Sequence, residues 1–459
     1  MGIAGLLIIL IVIMYLITEY VSVSSTKETK NKNQNLKDIK INISNKATGI
    51  IFGKIQKKSK KVAYSEFDDE GHICVVGGSG SGKTSSVIIP TLQKLTEKQC
   101  CFCIDVAGDI TQNIPMNKNK KIFDLKGDNS TNFNFFYEVD ISDTEEEKEA
   151  KLIELASLLI VVDERASDTE VYYMRCAQVI LKASLLAFYD RFKHDNDICS
   201  IFDYICSNSW QKLFTEIDNS KSKTAKKLIS TFANNDKLNA ESFATTKRAI
   251  DIFLYDVKLR KNLKRKNAFS ALNINNSQIY VVIPEDKITQ YSGFLKLITA
   301  QILNTIRKRE NLTNQATLLV LDELSSYGFE IREQLLDALQ RSRKKNCRIM
   351  LAVQSMSDLH KVFNNQDDVQ SALNNCEYTL IMSCNSVVEA EECQKLVGEH
   401  ISYKKSYTKS SSSTSITKSE QTDNAVTITE LRALKAEKKL ILLHSQGFYK
   451  LYKFFYYKN

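Results

Sequence analysis

An eight-residue motif near position 80 constrains this chain more than any other feature of its sequence. It fits the pattern G-x-x-x-x-G-K-[ST] at every position and consists of Gly77, Gly78, Ser79, Gly80, Ser81, Gly82, Lys83 and Thr84. The motif follows the short apolar run 72–76, which is typical of a buried parallel strand, and a helix start follows at Ser85. A glycine-rich loop between a strand and a helix predicts a P-loop and an α/β fold.

Each residue type in this motif has a task in holding a nucleoside triphosphate. The glycines let the backbone curl so that its N–H groups point at phosphate oxygens, and the helix start adds partial positive charge. Lys83 supplies a full charge to the β- and γ-phosphates, and the Thr84 hydroxyl is a ligand for Mg²⁺. Residues 77–85 are therefore predicted to bind ATP with Mg²⁺. The alternative is a flexible glycine loop without a ligand.

Polar residues at the ends of two further apolar runs supply the rest of such a site. Asp322 and Glu323 follow the run 317–321, and Gln354 follows the run 348–353. Asp322 is predicted to hold Mg²⁺, Glu323 to orient and deprotonate the attacking water, and Gln354 to sense the γ-phosphate or that water. The alternatives are a surface acidic pair and a helix-capping amide.

The sequence changes character between these motifs. Ser142 opens a capping-box pattern with Glu145, leucines then recur at helical spacing, and no Gly or Pro interrupts the stretch up to Lys266. This pattern predicts an all-helical insertion in a nucleotide-binding domain. The predicted segments are an anchor (1–21), a basic juxtamembrane tether (22–66), a first nucleotide-binding part (67–140), an all-α domain (141–275) and a second nucleotide-binding part (276–459) with a Ser/Thr-rich loop (402–424).

The N-terminus combines an apolar run with a basic segment. Residues 1–21 form a helix of about 30 Å if helical throughout, which spans a hydrocarbon core. Between residues 22 and 62, eleven lysines face only Glu28 and Asp38, so this stretch carries a charge of +9, equal to that of the whole chain. The positive-inside rule then places the N-terminus outside the cell membrane and the ATPase part in the cytoplasm. A cleaved signal peptide and a buried core helix are the alternatives.

Two further features have plain interpretations that we favour. The eleven cysteines show no disulfide framework, and the Cys100–Cys103 pair lies in an apolar run, so buried strand thiols are favoured over zinc. The basic patch 258–266 is more typical of a solvated helix face than of a DNA contact.

Together these residues resemble the type IV secretion coupling proteins, the membrane-anchored ATPases of conjugative DNA transfer. The resemblance extends over nearly the whole chain. Arg343 lies eleven residues before Gln354, as in the family, with Asn346 where glycine is usual; Asn tolerates a left-handed turn. The segment 105–109 matches the family's aspartate-led motif only in part, and 134–135 lacks the family's proline.

The resemblance implies a RecA-like P-loop NTPase domain with an inserted all-α domain, arranged as a homohexamer around a channel. It implies recruitment of a relaxase–single-stranded DNA complex to the type IV secretion channel proteins and ATPases at the inner or cytoplasmic membrane. It also implies that Arg343 reaches into the neighbouring subunit's site; a local phosphate or solvent contact is the alternative. Only one membrane span is predicted here, whereas many family members have two.

Two other functions remain open on the sequence alone. One is a different hexameric DNA translocase of the same superfamily, and the other is a membrane-anchored docking protein that uses ATP as a switch. From residue 63 onward the chain carries a net charge of only +1, which is unlike a protein that coats DNA through many phosphate contacts.

Overall fold

The computed structural model describes residues 41–458, except for the short segments 161, 163–165, 193–197, 233–235, 311–314, 328–330, 410–413 and 446. The predicted anchor 1–21 and the first part of the predicted tether lie outside the described residues. One compact unit comprises Ile41–Gly398 with Ala425–Asn459, and a second contains Glu399–Asn424.

The described residues form sixteen strands. They are β1 (Asn42–Ser44), β2 (Ile50–Lys54), β3 (Val62–Ser65), β4 (His72–Val76), β5 (Cys100–Val106), β6 (Lys120–Asp124), β7 (Asn132–Phe133), β8 (Ala268–Phe269), β9 (Gln278–Ile283), β10 (Thr317–Leu321), β11 (Cys347–Val353), β12 (Cys376–Ile381), β13 (Glu399–Lys409), β14 (Thr414–Asn424), β15 (Lys439–His444) and β16 (Gly447–Tyr452).

Twelve of these strands make one mixed sheet in the order β1-β3-β2-β16-β15-β12-β4-β11-β10-β5-β9-β6. The pairs from β12 to β6 are all parallel, and those from β12 through β15 to β1 are antiparallel. Every residue of β4, β10 and β11 is buried, as expected for parallel strands covered on both faces. The carboxyl ends of the parallel strands therefore share one edge, where ligands bind in such sheets.

The helices fall into two groups. Around the sheet lie α1 (Ile89–Leu92), α2 (Asp109–Gln112), α3 (Tyr137–Asp140), α12 (Ser292–Lys308), α13 (Arg332–Arg341), α14 (Met356–Phe363), α15 (Gln366–Asn374), α16 (Val387–Val397) and α17 (Ile428–Glu437). Between α3 and β8 the chain forms α4 (Glu145–Leu159), α5 (Asp168–Phe192), α6 (Ile198–Ser207), α7 (Trp210–Asp218), α8 (Lys223–Ile229), α9 (Asp236–Ile250), α10 (Ile252–Tyr255) and α11 (Val257–Asn262).

The helical segment α4–α11 packs around its longest helix, α5. Ile180, Leu181 and Leu185 of α5 are fully buried, and α4, α8 and α9 pack against the helix. By length and composition alone, α5 is the one helix of the described residues that is apolar enough to cross a membrane. Its buried contacts with three neighbours explain that apolar character as part of a helical core.

The start of α4 differs in detail from the sequence prediction. Thr144 is the N-cap residue, and its side chain accepts a hydrogen bond from the Glu147 backbone N–H. The helix therefore begins two residues later than a cap at Ser142 would place it. Three consecutive acidic residues in the first turn, which interact favourably with the positive end of the helix dipole, account for this choice.

The predicted tether 22–66 is wrong for its second half. Strands β1 to β3 occupy much of 42–65 and pair with one another at the antiparallel end of the large sheet. Ile50, Ile51 and Phe52 are fully buried, so this stretch contributes to the core despite its lysines. Six of the eleven lysines between 22 and 62 thus belong to the folded unit, and the basic segment is shorter than predicted.

The predicted Ser/Thr-rich loop 402–424 is also wrong. Strands β13 and β14 pair antiparallel from Glu399↔Asn424 to Lys409↔Thr414, which makes a long two-stranded hairpin. The missing apolar period misled the prediction, because antiparallel pairing satisfies backbone groups whatever the pattern of the side chains. The many Thr, Tyr and Ile residues of 401–422 favour extended backbone.

Candidate functional site

The glycine-rich motif forms a tight loop after β4, and the helical turn Thr84–Ile88 follows it. Gly80 and Gly82 have left-handed φ angles of 66° and 95°, which residues with a Cβ adopt only at a cost. A Cβ at Gly77 would lie 2.6 Å from Cβ of Met382. The glycines are therefore required both by the backbone conformation and by the close approach of the chain after β12.

Lys83 lies over this loop rather than in solvent. Its side chain is 7% exposed, and Nζ donates a hydrogen bond to the Gly77 carbonyl oxygen at 2.7 Å. Oγ of Ser81 is buried and has no hydrogen-bond partner among the described residues. A buried hydroxyl without a partner is costly, and a phosphate oxygen is an acceptor that would satisfy it. The loop thus fits an anionic ligand.

The Thr84 hydroxyl and the Asp322 carboxylate meet at this edge, although 238 positions separate them in the chain. Thr84 Oγ1 donates to Asp322 Oδ2 at 3.5 Å, and Asp322 is buried. Burial raises the pKa of Asp322 to about 6, opposed by the nearby Lys83 ammonium. One carboxylate and one hydroxyl oxygen around a shared position match the ligands that Mg²⁺ takes in P-loop sites.

Glu323 follows Asp322 in a left-handed turn with φ of 51°, an unusual conformation for a residue with a side chain. Its backbone N–H donates to Asp322 Oδ1 at 3.1 Å. On the neighbouring strand, Gln354 Nε2 donates to Glu323 Oε2 at 2.8 Å. The Glu323 carboxylate is thus held by Gln354 at the end of the neighbouring strand, while Asp322 contacts Thr84.

Arg343 lies at the opposite edge of the sheet from these residues. It belongs to the turn Ser342–Lys345, which precedes β11, while Gln354 follows that strand. The seven residues of β11 separate the two edges by about 20 Å at ~3.3 Å per residue. Nη2 of Arg343 donates to the Asn375 carbonyl oxygen at 2.6 Å. The structure therefore does not bring Arg343 to the P-loop of its own subunit.

Asn346, next to this turn, adopts a left-handed φ of 50°. The resemblance to the coupling proteins predicts a left-handed turn at this position, because glycine is usual there in that family. The prediction that Asn tolerates this conformation is confirmed.

Sequence reasoning missed the residues that support the P-loop from the β12 side. The Gly78 N–H donates to Ser383 Oγ at 3.0 Å, and Lys435 Nζ donates to the Ser79 carbonyl oxygen at 2.8 Å. Ser383 follows an apolar strand at the same sheet edge, as Gln354 does, so the same signal was available for it. Lys435 lies on α17 and has no local sequence signal.

The cysteines of the run 100–104 are buried in β5 as we favoured, whereas two arginines of the basic patch form part-buried ion pairs and are not simply solvated. Cys100, Cys101 and Cys103 are buried in β5, and burial raises the pKa of the Cys103 thiol well above its usual value. In the patch, Arg260 pairs with Asp203 at 2.6 Å and Arg265 with Asp140 at 3.2 Å. The first pair joins α6 and α11 of the helical segment, and the second joins the chain after α11 to the end of α3.

The sequence model of one family, type IV secretory system conjugative DNA transfer, matches residues 27–459. The chain belongs to this family. A comparison with curated proteins gives no match. The family assignment confirms the resemblance that the P-loop, the Asp-Glu pair and the Arg343–Gln354 spacing indicate.

Several solved structures share the fold. The unbound bacterial conjugative coupling protein TrwBdeltaN70 is 15% identical, with a TM-score of 0.68 and coverage of 83% of this chain and 84% of that chain. The plasmid coupling protein TrwB with the ATP analogue ADPNP is 14% identical, with a TM-score of 0.68 and coverage of 89% of both chains. VirB4 of Thermoanaerobacter pseudethanolicus is 12% identical, with a TM-score of 0.51 and coverage of 89% and 97%. The chain thus has a TrwB-like NTPase fold with a mixed α/β sheet.

Proposed function

We propose that this family member is an ATP-hydrolysing coupling protein that helps to drive single-stranded DNA through a type IV secretion channel. One observation carries the proposal. Thr84, Asp322, Glu323 and Gln354 converge beside the P-loop from β4, β10 and β11, in the arrangement that hydrolysis of a bound triphosphate requires. TrwB structures with ADPNP and with ADP and Mg²⁺ support the same choice of ligand.

The residues present fit ATP and Mg²⁺. The loop 77–85 would hold the phosphates through its backbone N–H groups. The Lys83 ammonium would give up its hydrogen bond to the Gly77 carbonyl oxygen and contact a phosphate oxygen instead. Thr84 and Asp322 would hold Mg²⁺, which neutralises charge on the β- and γ-phosphates when bound. The Ser81 hydroxyl has no hydrogen-bond partner among the described residues, so it offers the loop a further contact for a phosphate oxygen.

Glu323 is the group placed to accept a proton from an attacking water. Its carboxylate is held by the Gln354 amide at 2.8 Å. A positioned general base contributes about 10²- to 10⁴-fold to a rate. Gln354 would therefore act as a positioning residue for Glu323. The same hydrogen bond links the ends of β10 and β11 at the site.

Arg343 requires a second subunit in order to act. Because Arg343 lies about 20 Å from its own P-loop, on the opposite sheet edge, any role of its guanidinium in hydrolysis would need the site of a neighbour. A ring of identical subunits offers this arrangement, since one edge of each subunit faces the next. We therefore propose a homohexamer in which Arg343 stabilises the phosphoryl-transfer transition state in trans.

The proposed setting is the cell membrane. Residues 1–21 would form a single N-terminal membrane helix with the N-terminus outside, and the lysines that follow it would hold the ATPase in the cytoplasm. The proposed substrate is a relaxase–single-stranded DNA complex, and the proposed partners are the channel proteins and ATPases of the secretion system. The family's role in conjugative DNA transfer supports both.

The proposal is tested first by the Lys83→Ala variant of the purified full chain. We expect ATP hydrolysis to fall at least about 100-fold, because the variant loses the charge aimed at the β- and γ-phosphates. Lys98→Ala is the matched control, since Lys98 is exposed outside the loop and should leave the rate unchanged. Hydrolysis at the wild-type rate in Lys83→Ala would refute the assignment of the site.

A further inference from the structure

The P-loop strand β4 divides the ligand edge of the sheet into two halves. On one side, β11 and β10 carry Gln354, Asp322 and Glu323; on the other side, β12, β15 and β16 lead to the end of the chain. Under the proposed function, the Mg²⁺ ligands and Glu323 direct the triphosphate end of a nucleotide toward β10 and β11. The base of that nucleotide then belongs on the β12–β16 half.

An aromatic cluster lies on that half. The rings of Phe455 and Tyr457 have centroids 5.5 Å apart, and Tyr456 lies 5.3 Å from Tyr457 in an edge-to-face contact. Lys458 Nζ is 5.4 Å from the Phe455 ring and 5.5 Å from the Tyr457 ring. Tyr457 is 59% exposed, so one of its faces is open to a planar ligand.

This cluster is held directly against the P-loop. A Cβ at Gly82 would lie 3.2 Å from Cε1 of Phe455, so the ring packs on the glycine that precedes Lys83. The turn Tyr456–Lys458 lies against the turn Thr84–Ile88 that follows the loop. Buried Lys453 fixes the approach of this segment, since its Nζ donates to the Met382 carbonyl oxygen at 2.9 Å.

We propose that Phe455 and Tyr457 form the base-binding platform of the nucleotide site, in an extension of the proposed function. Aromatic side chains stack on any nucleobase, because every base presents a π-face. The base would stack on the Tyr457 ring, and the Phe455 ring would pack between Tyr457 and Gly82. This platform is expected to accept adenine and guanine alike, since stacking does not depend on the groups along a base edge.

The experiment compares a nucleotide with a ligand that has no base. The dissociation constants of ATP and of inorganic tripolyphosphate, each with Mg²⁺, are measured by calorimetry on the full chain. Stacking on an aromatic residue gives about 5- to 150-fold in affinity. We expect Tyr457→Ala to weaken ATP at least fivefold and to leave tripolyphosphate unchanged. Tyr457→Phe should keep the wild-type affinity for both ligands, because the ring remains.

Phe455→Ala provides a second variant, because its ring contacts the loop itself. It should also weaken ATP more than tripolyphosphate. Tyr255→Ala is the surface control, since Tyr255 is 75% exposed in the helical segment. Unchanged ATP affinity in Tyr457→Ala and Phe455→Ala, or an equal loss for ATP and tripolyphosphate, would overturn the platform and leave the ATPase proposal standing. A wild-type chain that binds neither ligand would overturn both.

Discussion

Gln354 donates its side-chain amide to Glu323 Oε2 across 2.8 Å, from the end of β11 to the end of the neighbouring strand β10. The two residues are 31 positions apart in the chain, and parallel pairing of the strands brings them together. The hydrogen bond places the proposed general base relative to the P-loop, because β11 also pairs with β4, the strand that carries the loop. The position of the proposed general base is therefore set by the pairing of the strands in the sheet.

The first prediction concerns this contact. Gln354→Ala removes the hydrogen bond, so Glu323 loses its fixed orientation and we expect ATP hydrolysis to fall about 10- to 100-fold. ATP affinity should change by less than about twofold, because no loop residue depends on Gln354. Steady-state hydrolysis and calorimetry measure the two effects. Gln211→Ala, at an exposed position on α7, is the control and should match the wild type.

The second prediction concerns the loop and α17. Lys435→Met removes the hydrogen bond from Nζ to the Ser79 carbonyl oxygen and one positive charge beside the phosphates. A hydrogen bond of about 0.5–1.5 kcal/mol corresponds to about 2- to 10-fold in affinity, and we expect ATP binding to weaken by that amount. Arg432→Met removes a charge from the same helix at an exposed position. An equal effect of both variants would show that net charge alone matters.

The third prediction concerns the stability of the chain at low pH. His72 is fully buried, where Nδ1 accepts from the Ile349 N–H at 3.0 Å and Nε2 donates to the Leu339 carbonyl oxygen at 2.9 Å. Burial and the neighbouring Arg343 guanidinium lower the pKa of His72 to about 3. The unfolded chain, with a pKa near 6.5, therefore binds more protons than the folded chain between pH 3 and 6.5.

The free energy of unfolding should consequently fall as pH falls from 6.5, by up to about 1.4 kcal/mol per pH unit from this residue alone. Urea unfolding at pH 7, 6 and 5 measures the slope. In His72→Asn, whose Oδ1 can still accept from Ile349, the slope should be shallower than in the wild type. Identical slopes would mean that His72 is not the group responsible.

The fourth prediction tests whether Arg343 acts between subunits. Arg343→Ala should lose hydrolysis while it keeps ATP binding, because the guanidinium stabilises only the transition state. Mixing inactive Arg343→Ala subunits with inactive Lys83→Ala subunits should restore part of the activity, since each supplies what the other lacks. Arg341→Ala, which removes an exposed arginine paired with Asp337, is the control. A mixture without any activity would contradict action in trans.

Much of the fold followed from local pattern, because buried parallel strands give short apolar runs. The apolar run 317–321 agrees with β10, and Gln354 follows β11 as expected. The last strand spans Gly447–Tyr452, and the aromatic run continues past the sheet into the turn beside the P-loop. Sequence alone does not separate an aromatic strand from an aromatic cluster.

The parts that sequence did not reveal depend on pairing between distant segments. Strand β2 pairs with β16, nearly 400 positions later, and no local signal marks 50–54 as part of the sheet among so many lysines. Lys435 contacts Ser79 for the same reason, as the two are 356 positions apart. Residues in recognisable sequence motifs could therefore be predicted as site residues, whereas residues placed by long-range contacts could not.

The most direct test of the central claim is DNA transfer by cells whose only copy of the protein carries Glu323→Gln. This variant keeps the size and a hydrogen-bonding oxygen of the side chain but loses the base, so ATP should bind as in the wild type and hydrolysis should stop. We expect transfer to fall to the level of cells that lack the protein, with the variant present in the membrane in normal amount. Transfer at the wild-type frequency without ATP hydrolysis would contradict a motor and would indicate a docking protein that uses ATP as a switch.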